Sequence, residues 1–146
     1  MLSEKLTSYL KNNNWWYDSP IEMYIEPLKE LNIEESSDII TFFKHSGQGA
    51  PTFSGKRYEL YHLGWFILYG DYLDMLPIVR KNLGLGDNYF PLDSFEGEGG
   101  FFYDKDTKTV IELELGEILI NFQNGKIDKQ WSSFTSFMEW YFDIES

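Results

Sequence analysis

Apolar positions recur at helical spacing in the first half of this chain and mostly at strand spacing in the second. Leu2, Leu6, Tyr9 and Leu10 predict an amphipathic helix over 3–12, stopped by Asn12-Asn13-Asn14. Trp15, Trp16 and Tyr17 follow in a loop, where they either pack beneath the sheet or form an exposed stacking platform. Ser19 with Pro20 and Glu22 has the makings of a capped helix start, and Pro27 predicts a break before a short helix through Leu31. Ser37 or Asp38 caps a further helix carrying Ile39, Ile40, Phe42 and Phe43, which ends at Gly47 and Gly49. Residues 46–56 read as loop and Tyr58–Tyr61 as strand. The uncharged run Leu63–Tyr69 fits a buried strand by length and a helix equally well. Asp74 is placed to cap a helix with Pro77 in its first turn; Tyr72, Leu76, Val79 and Leu83 share a face, and Gly84 stops it.

Beyond Gly84 the period shortens. Asn88–Leu92 predicts a strand that Pro91 confines to a sheet edge. Phe101–Asp104 and Thr109–Leu115 flank Lys105-Asp106-Thr107-Lys108 and read as a hairpin. Apolar parity flips at Gly116, which predicts a bulge or bend and a continuing strand through Ile118, Ile120 and Phe122. Asn124-Gly125 reads as a hairpin turn into a strand over Lys126–Trp131. Ser132 or Ser133 then caps a closing helix with Phe134, Phe137, Met138 and Tyr141 along one stripe. The expected fold is α+β: a single domain over 1–146, a mainly antiparallel sheet, N-terminal helices and a C-terminal helix packed on the sheet.

Composition narrows the chemistry. The 146 residues include no cysteine and only two histidines, His45 and His62, so disulfides, thiolate nucleophiles and the usual zinc sites are not expected. The longest uncharged apolar run is far short of the roughly 20 residues that span a bilayer. The N-terminus lacks the basic end and apolar stretch of a signal peptide, so a cytoplasmic location is expected. Net charge is −12, and residues 87–117 hold nine acids against Lys105 and Lys108, contributing −7. Such a field opposes nucleic acid and anionic membranes and favours a basic protein partner. Five Trp, ten Tyr and twelve Phe exceed what a small core readily hides, leaving aromatic side chains for an interface.

Candidate catalytic signals are thin. Glu96-Gly97-Glu98-Gly99-Gly100 is acidic, lacks the Gly-Lys-Ser/Thr ending and precedes a strand, so it is no phosphate cradle. Asp104-Lys105-Asp106 opens like a calcium loop, but Leu115 occupies the position of the closing glutamate. Glu112 and Glu114 lie on one strand face about 7 Å apart, the usual pattern of a wet face. No catalytic residue, cofactor or metal is assigned.

Three stretches nonetheless resemble a known family. "EPLKELNIEESSDIITFFKHSGQG" (26–49) resembles the opening of the SUKH superfamily. "LGLGDNYFPLDSFEGEGGFFYDKDTKT" (83–109) resembles its Gly-Asp strand, turn and hairpin, and "SSFTSFMEWYF" (132–142) its terminal helix. Together they cover a little under half of the chain in the family's order. Ser36-Ser37 departs from the Leu-Pro pair often found before the second helix of that family. The resemblance implies a non-enzymatic bacterial immunity protein that neutralises a cognate toxin effector domain, often a nuclease, by stoichiometric binding. On that reading Glu96, Glu98, Asp104 and Asp106 are steering charges, Glu112, Glu114 and Glu117 contact residues on the sheet face, and Tyr103 an anchor. A monomer is expected. The alternatives are a regulatory scaffold for host partners and a carbohydrate-active protein using Trp15, Trp16 and Tyr17.

Overall fold

The computed structural model describes residues 2–95 and 98–144. Ser3 accepts from the Leu6 N–H and opens α1 (Glu4–Asn12). α2 (Glu22–Lys29) follows, then α3 (Asp38–His45), capped by Ser37. A two-stranded antiparallel pair, β1 (Thr52–Phe53) and β2 (Leu60–Tyr61), leads into α4 (Leu63–Tyr69) and α5 (Tyr72–Leu83). The main sheet is antiparallel throughout, in the order β3 (Tyr89–Pro91), β4 (Gly99–Asp104), β5 (Thr109–Glu114), β6 (Gln130–Trp131). α6 (Glu117–Gln123) lies between β5 and β6, and α7 (Phe134–Tyr141) closes the domain behind its Ser133 cap. The fold is therefore α+β, with no described helix long and apolar enough to cross a membrane.

Alternation along β4 and β5 sends side chains to two covered faces. Phe101, Tyr103 and Val110 join the large core with Phe134, Phe137, Met138 and Tyr141 of α7 and Phe42 and Phe43 of α3. Phe102, Ile111 and Leu113 face the other way, under Leu83, Leu85 and the half-buried Ile118, Leu119 and Phe122 of α6. Pro91 does lie on an edge strand, and that edge is sealed. Its carbonyl accepts from the Tyr72 hydroxyl at 2.8 Å, and the Leu92 carbonyl accepts from the Tyr61 N–H at 2.8 Å.

Several local expectations change, among them both helix starts: Ile21, not Ser19, is the N-cap of α2, and Asp71, not Asp74, that of α5. The segment after Gly116 is helix, not strand: Gly116 turns the chain at φ 102°, and Ile118, Leu119 and Phe122 then share a helical face toward the second core. Asn124-Gly125 ends that helix instead of turning a hairpin. Gly125 sits at φ 91°, its N–H reaches the Phe122 carbonyl, and the Lys126 N–H reaches that of Asn121. α2 runs through Pro27, whose missing donor frees the carbonyl of the exposed Met23. α5 begins at Tyr72, so Pro77 is its sixth residue rather than part of its first turn. Leu63–Tyr69 resolves as helix because His62 Nδ1 accepts the Trp65 N–H and caps it.

Candidate binding surface

The acidic stretch 87–117 does not fold into one face. Glu96 lies outside the described residues. Glu98 and Glu117 are exposed, and Glu114 is half-buried. The Leu115 N–H donates to the Glu98 carbonyl, which gathers these residues at the open end of the hairpin. Asp106 is exposed at the opposite end, about 17 Å away by strand rise and between Lys105 and Lys108. Asp104 is buried; its Oδ1 accepts from Asn88 Nδ2 and from the Asp106 N–H, so it builds the turn and does not steer a partner. Tyr103 is also corrected: it is enclosed beside Phe134, and burial raises its hydroxyl pKa, so it is core and not an anchor. Glu117 is on α6, not on the sheet face.

Glu112 is the largest departure from a wet face. Its side chain is 0% exposed. Oε1 accepts from Arg57 Nη2 at 2.7 Å and lies 3.9 Å from Lys129 Nζ, while Oε2 meets no hydrogen-bond partner among the described residues. Burial pushes its pKa above the usual carboxylate range; Arg57 and Lys129 oppose that shift. Removing one partner of a buried ion pair strands the other charge. Arg57→Ala is therefore expected to cost about 2 kcal/mol at pH 7, less than the full penalty because Lys129 stays close. The loss should shrink in acid as Glu112 takes up a proton, which urea unfolding at pH 7 and pH 4 will read. An equal loss at both pH values would contradict this account.

A second acidic region is open. Residues 18–38 hold seven acids (Asp18, Glu22, Glu26, Glu30, Glu34, Glu35, Asp38) against Lys29, a net of −6, and all of the acids but Asp38 are exposed. Lys29, Lys44 and Lys108 pair with Glu26, Glu35 and Glu34 at 3.2–3.5 Å. Asp18, Glu22 and Glu30 have no ionic partner among the described residues, which leaves uncompensated charge from Asp18 and Glu22 at the N-terminal end of α2 and from Glu30 at its C-cap.

That end borders an open groove of about 910 Å³ lined by Trp16, Tyr17, Asp18, Pro20, Glu22, Ile25 and Gln48. Met23 and Glu26 continue it along the helix. The wall is held by backbone. Tyr17 N–H donates to the His45 carbonyl, Ile21 N–H to that of Lys44, and Gly47 N–H to that of Trp15. Trp16 stacks on His45 at 5.1 Å and donates its Nε1–H to Asp18, fixing that carboxylate at the rim. Tyr17 stays 38% exposed. Trp15 packs instead among Tyr9, Phe53 and Phe142.

α2 is fixed from below. Tyr24 is buried; its hydroxyl accepts from the Gly49 N–H, and its ring lies 4.3 Å from the His62 ring. Gly64 permits the close crossing with α4, since a Cβ there would stand 2.8 Å from the Tyr24 ring. His62 is 0% exposed among Tyr24, Phe43 and Phe53, with Nε2 2.8 Å from the Ser46 carbonyl. Burial lowers its pKa to about 4, against the opposing pull of that carbonyl.

The sequence carried a signal for this surface in Glu22, Glu26 and Glu30, spaced to share one helical side, but the larger charge of 87–117 masked it. Among the described residues no three metal-binding side chains converge. The arrangement suits capture of a positively charged surface: aromatic and apolar groups in a groove, with carboxylates at its rim. No protein-family model, curated protein or solved structure matches the chain.

Proposed function

We propose that this chain is a binding protein that captures a cationic protein domain on its α2 surface, and that it serves as an immunity protein of SUKH type. Its partner on this reading is the effector domain of a bacterial toxin, neutralised one-to-one in the cytoplasm of the cell that makes both. The carrying observation is the groove itself: Asp18, Glu22 and Glu26 rim a trough containing Trp16, Tyr17 and Ile25, with Asp18 and Glu22 unneutralised. Rings in such a trough supply contact area, and free carboxylates speed approach and reject wrong partners. A sugar-stacking role for Trp15, Trp16 and Tyr17 is disfavoured because Trp15 packs into the core among Tyr9, Phe53 and Phe142, and His45 covers one face of Trp16.

The test is co-expression with the effector domain of the toxin gene that this reading expects beside the gene for this chain. Restored growth and a co-purifying one-to-one complex are expected. Undiminished toxicity with no complex would overturn the reading.

A further inference from the structure

One helix face has no use in the binding reading. α5 exposes Leu73, Asp74, Pro77, Ile78 and Lys81. At about 100° per residue these five fall within an arc of about 140°, so they form one stripe. Ile78 is 61% exposed and Leu73 36%. Tyr69, at the end of the uncharged helix α4 that precedes α5, is 60% exposed. Asp74 and Lys81 have no ionic partner among the described residues.

We propose that this stripe is a two-fold interface with a second copy of the chain. The placement of its charges carries the inference. Asp74 and Lys81 stand seven residues apart, two turns or about 10.5 Å, on the same side of the helix. An antiparallel pairing of two α5 helices, with the two-fold between Pro77 and Ile78, sets Asp74 of each copy against Lys81 of the other. The apolar Pro77 and Ile78 meet at the centre. A surface that complements itself under rotation is what an isologous dimer requires. Elsewhere a chain of charge −12 repels its own copy, whereas this stripe is neutral by composition. A cationic partner has the more acidic α2 surface available. The interface departs from the expected monomer and does not depend on the proposed function.

Sedimentation velocity of the full chain without any partner, from about 1 to about 500 µM, tests it. The wild type should pass from monomer to dimer over that range. Asp74→Lys and Lys81→Asp each put like charges face to face and should raise the dimer dissociation constant about 10- to 100-fold. The double variant Asp74→Lys/Lys81→Asp restores opposite signs and should recover dimerisation. Ile78→Glu should abolish it. All three positions are solvent-exposed, and circular dichroism will confirm folding of each of the four variants. A wild type that stays monomeric throughout, single reversals that leave the dimer intact, or a double variant that does not recover would each overturn the interface.

Discussion

Acidification from pH 7 to pH 4 is expected to remove about 3 kcal/mol of stability through one side chain, His62. The ring is fully enclosed by Tyr24, Phe43 and Phe53, and burial holds its pKa down at about 4 against an ordinary 6.5. Between those values the unfolded chain binds a proton that the fold refuses. Stability from this group is complete above pH 6.5, falls by about 1.4 kcal/mol per pH unit, and levels off below pH 4. The fold also needs the neutral ring, because Nδ1 must accept the Trp65 N–H to cap α4. Glu112 acts in the opposite sense: its raised pKa favours the fold below the ordinary carboxylate value, and that contribution is lost as pH rises through the raised one. Comparing wild type with His62→Gln therefore isolates the histidine. Urea unfolding at half-unit pH steps should show a shallower slope between pH 6.5 and 4 in the variant. Parallel curves would contradict it. Because His62 lies beneath Tyr24, the same titration should loosen α2 and its groove.

If the proposed function holds, reversing Asp18, Glu22 and Glu26 to Lys is expected to slow association with its cationic partner domain about 100-fold at low salt. Each reversal adds two charges, so the net charge moves from −12 to −6, and the whole change falls on the rim of one groove. All three residues are exposed, Asp18 and Glu22 at the start of α2 and Glu26 one turn further on, so the fold should survive apart from a modest loss of helix-dipole stabilisation at Glu22. The parallel reversal of Glu98, Asp106 and Glu117 moves the net charge equally but acts at scattered sites, and should slow association by less than about tenfold. Stopped-flow association over a salt series separates the two. Equal effects would mean that net charge, not the groove, steers the partner.

What could be read from the sequence follows how local each signal is. α3 and α7 were legible because Ser37 and Ser133 cap runs whose apolar spacing matches one turn. The β4–β5 hairpin was legible because strand-forming residues flank a polar loop, and the edge position of β3 because Pro91 lacks a donor. α6 was misread because Ile118, Ile120 and Phe122 mimic a strand; Gly116 at positive φ changes the geometry as well as the parity. Glu112 was misread because its ion pair comes from Arg57, 55 residues away, and because the sheet face it shares with Phe101 and Tyr103 packs against α7 instead of facing water. Tyr103 failed as an anchor for the same reason: the sheet is covered on both sides, which alternation along one strand does not reveal. The candidate surface depends on Trp16 meeting His45 and on segment 15–21 running beside the end of α3, contacts that no local pattern encodes.

Hydrogen exchange of the chain with and without the cationic effector domain that the proposed function requires tests the central claim most directly. Slowed exchange across residues 16–30, with little change over 98–117, is the expected result. Protection confined to the hairpin ends, or a complex that protects neither region, would contradict the assignment of the α2 groove as the surface through which this protein works.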